Sequence, residues 1–374
     1  MSKKAMWAEA LIFLAFIGVF FILNLVLPDR SFSEQENRYL QTRPEFSFKS
    51  LFSGDYTSKF ETYTTDQFTF RDEWITLKAA SELALGKQEN NDVHLCENGT
   101  LIEGYERPAD STFDANISAL NTLVSNVDAE VYFALIPDKS ELYASMLPTN
   151  APNDSEKEAL DYCYGQSDAT NVDIYSALNG HKDEYVFYRT DHHWTSLGAY
   201  YGYSALCEAM GLTCPALDSY TNRHVVSDEF YGTTWSSSGF SWVDPDSMEI
   251  FVDVPEGLKV TSYPEGSPVE GKLYDFSYLE KKDKYSMFMG GNCPLHEIVT
   301  GAEGKPSLLI IRDSYTDSLI PFLLDDYSEI HVLDLRYYRA SLKNYIEQYD
   351  FDQVLVCYSV YNFSTDSNIF LLGL

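Results

Sequence analysis

Tyr188-Arg189-Thr190-Asp191-His192-His193-Trp194 is the stretch on which the reading of this chain turns. The apolar run Tyr185-Val186-Phe187-Tyr188 leads into it and predicts a buried strand. Beyond it, Leu197, Tyr200, Tyr203, Leu206 and Met210 recur at three- and four-residue spacing, and Gly211 is placed to end a helix. The polar cluster therefore falls where a strand gives way to a helix. In an open α/β sheet, ligands bind in the crevice outside the carboxyl ends of the strands. Asp191 and His193 are close enough in sequence for the carboxylate to orient the imidazole, which is half of an activated-nucleophile arrangement.

The other half is predicted in Ser307-Leu308-Leu309-Ile310-Ile311-Arg312-Asp313-Ser314-Tyr315. Its four apolar residues predict a central parallel strand, with Ser314 just past the end and a helix over 316–324. A serine there is exposed, and the free backbone N–H groups of a helix start suit a developing oxyanion. Serine is a weak nucleophile, and His193 oriented by Asp191 supplies the base it needs. The residues alone also permit a plainer account: Ser314 as a helix N-cap, and Asp191 and the two histidines as turn and cap residues.

Asp-His-His-Trp after one hydrophobic strand, and Arg-Asp-Ser-Tyr after another, resembles the DHHW family. That family is similar to the SGNH-hydrolase-like domains of the alginate O-acetylation proteins. In those relatives an Asp-x-His pair precedes the nucleophilic serine, the reverse of ordinary SGNH hydrolases, and Asp191, His193 and Ser314 follow that order. Further matches are Ile136-Pro137-Asp138-Lys139, Phe32-Ser33 with Glu36-Asn37-Arg38, and Gly290-Gly291-Asn292. The resemblance implies an α/β fold: an SGNH-hydrolase-like (flavodoxin-like) three-layer parallel sheet. It implies a serine-dependent O-acyltransferase or esterase with Ser314, His193 and Asp191 as catalytic residues. Asn292 resembles the oxyanion-hole position of SGNH enzymes, although Gly-Gly-Asn is also a common turn. Tyr315 and Lys139 are further candidates for oxyanion or substrate binding, Lys139 having the plainer reading of a solvated loop residue.

Residues 10–27 are apolar apart from Asn24, follow Lys3 and Lys4, and lack a small-residue cleavage site. They predict an uncleaved signal-anchor with a cytoplasmic tail (1–9) and an extracellular body. A single pass through the cell membrane is therefore expected. Residues 28–126 read as an extension: an extended tether over 31–48, helix over 55–85, a hairpin turn at Asn98-Gly99, and helix over 113–127. The catalytic domain is expected over 127–374, with a strand-rich insertion at about 215–305 that caps the crevice. Its last stretch alternates strand and helix: strand 308–311, helix 316–324, strand 329–333, helix 340–348 and strand 353–357.

The net charge of −31 argues against nucleic acid, which needs a basic face, and favours a neutral glycan over a polyanion. The 28 Tyr and 23 Phe suit stacking on sugar rings. Six cysteines form no CxxC pair, so no metal ribbon is expected, and Cys207–Cys214 is the nearest candidate disulfide. No Gly-rich phosphate loop follows a strand, and no cofactor is expected. Three functions remain. One is acyl transfer to, or deacetylation of, a cell-envelope or exported polysaccharide. The second is a metal-dependent phosphoesterase drawing on Asp138 and Asp313. The third is a non-catalytic glycan-binding scaffold. For the transferase, the resemblance implies a membrane-bound O-acyltransferase as acetyl donor partner.

Overall fold

The computed structural model describes residues 2–373. Two compact units are present, Met1–Asn91 with Gly239–Trp242, and Asp92–Ser238 with Val243–Leu374.

In the first unit, helix α1 (Lys3–Val26) is apolar from Ala10 onward apart from Asn24, and none of its residues is buried. The helical pattern expected over 55–85 is two helices, α2 (Asp55–Asp66) and α3 (Arg71–Ala84). Residues 67–70 separate them, and Phe70 adopts the left-handed conformation (φ 60°). The predicted tether contains a two-residue antiparallel pairing, Phe32 with Tyr39 and Ser33 with Arg38. Arg38 then pairs with the buried Asp66 at 2.6 Å, and Arg71 with Glu36 at 2.8 Å.

The second unit is built on an eight-stranded sheet whose strands are β1 (Glu130–Ile136), β2 (Thr170–Val172), β3 (Lys259–Ser262), β4 (Val269–Glu270), β5 (Leu295–Val299), β6 (Ser307–Arg312), β7 (Glu329–Leu333) and β8 (Gln353–Ser359), in the order β4-β3-β5-β7-β6-β8-β1-β2. The five strands from β7 to β2 are parallel, and β5, β3 and β4 extend the β7 edge antiparallel. Part of the predicted insertion thus lengthens the sheet. Strand β6 is apolar without alternation because both faces are covered. Leu308 and Ile310 enter one core, and Leu309 and Ile311 the other. Helices α4 (Asp110–Asn126), α5 (Glu156–Gln166) and α8 (Leu342–Tyr349) cover the second face, and α6 (Ser196–Met210) the first; α7 (Thr233–Ser238) lies between α6 and α8 in sequence. The fold is the three-layer α/β arrangement that was expected. Counted from β6, the parallel strands lie 2-1-3-4-5, the flavodoxin-like order, with the chain beginning at the fourth. That permutation puts the Asp-His segment, which follows β2, before the serine strand in sequence.

Two local expectations differ. Residues 185–188 join no sheet; they make one bridge, Phe187 with Trp194, closed by Tyr188 N–H to His193 O and Thr195 N–H to Val186 O. A short buried apolar run reads the same whether it pairs in a sheet or folds back on itself. Helix α6 packs tightly on this stem, since a Cβ on Gly198 would lie 2.2 Å from Val186 O. The helix predicted over 316–324 is two 3₁₀ segments, Ser314–Ser318 and Ile320–Leu323, and Pro321 withholds the N–H a continuous helix needs. The Asn98-Gly99 turn has both residues at positive φ, as a type I′ turn requires. All six cysteines are free thiols, Cys207 and Cys214 included.

Candidate active site

From Leu308 to Leu324 every residue is buried except Ser314. The strand end that presents it is tied by Asp313. One carboxylate oxygen accepts from Tyr315 N–H at 3.1 Å. The other accepts from Ser359 N–H (2.8 Å), Ser359 Oγ (2.7 Å) and Asn362 Nδ2 (2.8 Å). Asp313 therefore caps the 3₁₀ start and joins the carboxyl ends of β6 and β8.

The histidine turn, outside any sheet, is held by side chains. Buried Asp246 accepts from Arg189 N–H and Nε and from Thr190 N–H and Oγ1. Arg189 O accepts from Leu101 N–H at 2.9 Å. Three bonds then join it to the serine segment: Trp194 Nε1 donates to Tyr315 O (2.8 Å) and Ser318 Oγ (3.0 Å), and Tyr315 OH donates to His192 O (2.6 Å).

These restraints bring Asp191, His193 and Ser314 into one line. Asp191 Oδ1 accepts from His193 Nδ1 at 2.6 Å, and His193 Nε2 lies 2.9 Å from Ser314 Oγ. A carboxylate only accepts, so Nδ1 carries the proton and Nε2 turns its lone pair to the hydroxyl. Asp191 Oδ2 accepts from Thr233 N–H (2.7 Å) and Oγ1 (3.0 Å) at the start of α7. Gly232 permits that approach, since a Cβ there would sit 2.2 Å from Asp191 Cβ. Burial pushes the Asp191 carboxyl up, but the charges of His192 and His193 and the hydrogen bonds from His193 hold it well below its ordinary value. Tyr285 stacks on the His193 ring, centroids 3.7 Å apart and planes 7° from parallel, with its hydroxyl donating to Ser314 O and Ser318 Oγ. Burial raises its phenol well above the usual range, so it acts as a neutral donor.

A profile of the DHHW protein family matches residues 109–333. The chain belongs to the DHHW family. A DHHW family protein from Eubacterium siraeum is similar in structure at 25% identity and TM-score 0.65, covering 76% of this chain and 95% of its own. Bacillus cereus PatB1 follows at 20% and 0.64, covering 75% and 98%. The O-acetyltransferase domain of Pseudomonas putida AlgJ is more distant, at 15% and 0.47, covering 73% and 92%. No curated protein matches by sequence.

The family's four letters have separate tasks here. Asp191 orients, His193 faces the serine, and Trp194 ties the two segments together. His192 Nδ1 meets Thr233 Oγ1 at 2.6 Å, and its side chain is a third exposed. Asp191, His192 and His193 together offer three metal-ligand atoms within 4.8 Å. Of the other predicted residues, Tyr315 is buried with its hydroxyl on His192 O, and Asn292 is exposed with no hydrogen bond to Ser314 or His193. Lys139 is buried, its ammonium donating to Leu101 O at 2.7 Å and to Arg189 O at 3.4 Å. Burial lowers its pKa while the charges of Asp138, Asp191 and Asp246 oppose the fall. Tyr285, Thr233 and Asp246 escaped sequence reasoning. Thr233 and Asp246 open a six-residue helix and a five-residue strand, and Tyr285 lies in a 3₁₀ turn, all within the stretch read as an insertion and too short to show a period.

Proposed function

We propose that this protein is a membrane-anchored extracellular O-acetyltransferase. It acts on a cell-envelope or exported polysaccharide through Ser314, His193 and Asp191, with an acyl-serine intermediate. The observation that carries this reading is the 2.9 Å approach of His193 Nε2 to a serine hydroxyl that is the one partly exposed group in its segment. His193 takes the Ser314 proton as Oγ attacks the acetyl carbonyl, then returns it to the departing oxygen of the donor. In the second half a sugar hydroxyl gives its proton to His193, attacks the acetyl carbon and releases Ser314. Asp191 keeps Nδ1 protonated and steadies the imidazolium. The Ser314 N–H at the 3₁₀ start is the backbone donor proposed for the oxyanion, with Asn292 as a second candidate from the insertion.

Helix α1, behind two lysines, is proposed to hold this chemistry outside the membrane, where acetyl-coenzyme A is absent. A membrane-bound O-acyltransferase is the proposed donor, and the net charge of −31 favours a neutral acceptor. A two-metal phosphoesterase fits less well, since Asp313 is fully engaged with Tyr315, Ser359 and Asn362.

Incubation with a chromogenic acetyl ester, followed by intact-mass measurement, should show one acetyl group on the wild type and none on Ser314→Ala. Deleting the protein should lower ester-linked acetate on the polymer. A rise would instead mean that water is the acceptor and that the protein is an acetylesterase.

A further inference from the structure

The apolar run of α1 has one polar residue, Asn24, and the structure gives it a partner. Its Oδ1 accepts from both Thr69 N–H (2.7 Å) and Thr69 Oγ1 (2.6 Å). Thr69 lies in the turn between α2 and α3, and the aromatic residues around it pack on the same face of α1. Phe68 stacks on Phe20, with centroids 5.8 Å apart and planes 3° from parallel. Phe70 meets Phe20 edge-on, and Trp74 contacts both Phe16 and Phe20. Phe16, Phe20 and Asn24 are four residues apart and form one stripe. Phe68 and Phe70 nevertheless remain 40% and 55% exposed, and Phe70 holds a left-handed conformation that aromatic residues rarely adopt.

The level of these contacts along α1 decides what covers them. A helix of 24 residues is about 36 Å long, and a bilayer's hydrocarbon core is about 30 Å thick. With residues 10–27 across the core, Phe20 and Asn24 lie in its outer half and Phe16 near its middle. The charged groups begin just past the helix end and are paired. Arg30 bonds Asp72 at 2.7 Å, Arg71 bonds Glu36 at 2.8 Å, and Tyr63 OH donates to Asp29 at 3.0 Å. Aromatic rings below a girdle of paired charges are what an interfacial membrane contact needs.

We infer that the turn Gln67–Phe70 is a second membrane contact, lying beside α1 in the outer leaflet with Phe68 and Phe70 turned to lipid acyl chains. This goes beyond the acetyl-transfer reading and rests only on α1 spanning the bilayer. Thr69 satisfies the one polar group of α1 at that depth, and α1 in turn holds the turn at the membrane. The first unit is thereby fixed to the membrane at two places.

The test uses the full chain in vesicles of neutral phospholipid brominated on the acyl chains, with iodide as aqueous quencher. Comparison of wild type with Trp74→Phe and with Trp7→Phe isolates the emission of each tryptophan. Trp74 emission should be quenched by the brominated lipid and spared by iodide, as Trp7 emission should be. Quenching of Trp74 by iodide, or by neither agent as under a covering protein, overturns the inference while Trp7 quenching keeps α1 in the membrane. Unquenched Trp7 emission overturns both. The exposed double variant Phe68→Ser/Phe70→Ser, which leaves the packing of α2 and α3 intact, should at least halve lipid quenching at Trp74. Unchanged quenching in that variant counts against the contact.

Discussion

The two halves of the candidate active site are held by different means. Ser314 stands on regular structure: β6 is fixed by ladders to β7 and β8, and Asp313 closes its end within a few residues. Asp191 and His193 stand on a turn with one bridge beneath it, fixed by Asp246, Leu101, Lys139 and Thr233 from four distant segments. A backbone ladder tolerates changes of side chain, whereas a side-chain lattice does not. The histidine half should therefore be the more fragile, and its fragility should appear far from the chemistry.

Replacing the reacting groups should erase the contrast between the halves. Ser314→Ala, His193→Ala and Asp191→Asn should each lower esterase turnover by roughly three or more orders of magnitude, and double variants should be little worse than singles. His192→Ala should cost far less, since His192 meets Thr233 and not the serine. A larger loss at His192 than at His193 would reassign the base.

Substitution behind the histidine should then reveal the contrast. Asp246→Ala removes the acceptor shared by five donors, Tyr185 OH, Arg189 N–H and Nε, and Thr190 N–H and Oγ1, and leaves the two backbone N–H groups without their carboxylate. Turnover should drop about a hundredfold, and stability by about 3 kcal/mol, the range for breaking a buried charged network. Ser359→Ala, behind the serine, removes one of three donors to Asp313 Oδ2 and should cost less than tenfold. Equal losses in kcat for the two variants would mean that the halves are equally robust.

Tyr285 refines the comparison to a single ring. Tyr285→Leu removes the stack on His193 and should lower kcat about fivefold with KM unchanged, in keeping with about 1 kcal/mol for an aromatic pair. Tyr285→Phe keeps the stack and should recover most of that loss. If Phe is as poor as Leu, the hydroxyl bond to Ser314 O matters more than the stacking.

The mildest expectation concerns pH. Asp317 is buried next to Arg312 at 2.9 Å, and burial raises its pKa to about 7 against the opposing charge of Arg312. Its folded pKa lies above its unfolded one, so the folded state binds the extra proton. Stability from this group is full below about pH 4 and is lost as pH rises towards 7. Asp191 runs the other way. Its folded pKa is depressed, so its contribution is present above about pH 4 and lost only in stronger acid. Melting temperature should therefore decline between pH 5 and 7, and Asp317→Asn should flatten that decline. An unaltered slope would show that Asp317 is ionised throughout.

How much was legible in the sequence follows the same division. Strands β6, β7 and β8, helix α6 with its Gly211 end, and the Asp191, His193 and Ser314 candidates all carry local patterns, and the family resemblance joined them, whereas the three-residue β2 was too short to read. The restraints behind the histidine carry none. Lys139 reads as a loop lysine because nothing nearby in sequence shows that its ammonium meets Leu101 O. Tyr285 lies in an aromatic stretch without period, and only the fold brings it to His193. The run 185–188 has the composition of a strand, yet among the described residues its backbone bridges to its own continuation across the turn and joins no sheet.

The permuted strand order has a consequence for biogenesis. Strand β8, the last of the sheet's strands in sequence, inserts between β6 and β1, bridging residues 223 positions apart, such as Gln353 and Glu130. A chain made from its N-terminus delivers Asp191 and His193 first and Ser314 later, and the sheet that aligns them closes only when β8 arrives. Non-local pairing of this kind is slow and waits for its final strand. A stalled or clipped chain lacking β8 would carry Asp191, His193 and Ser314 without their common frame. Such a fragment would be inert, so the arrival of β8 is itself the condition under which these three residues can act together.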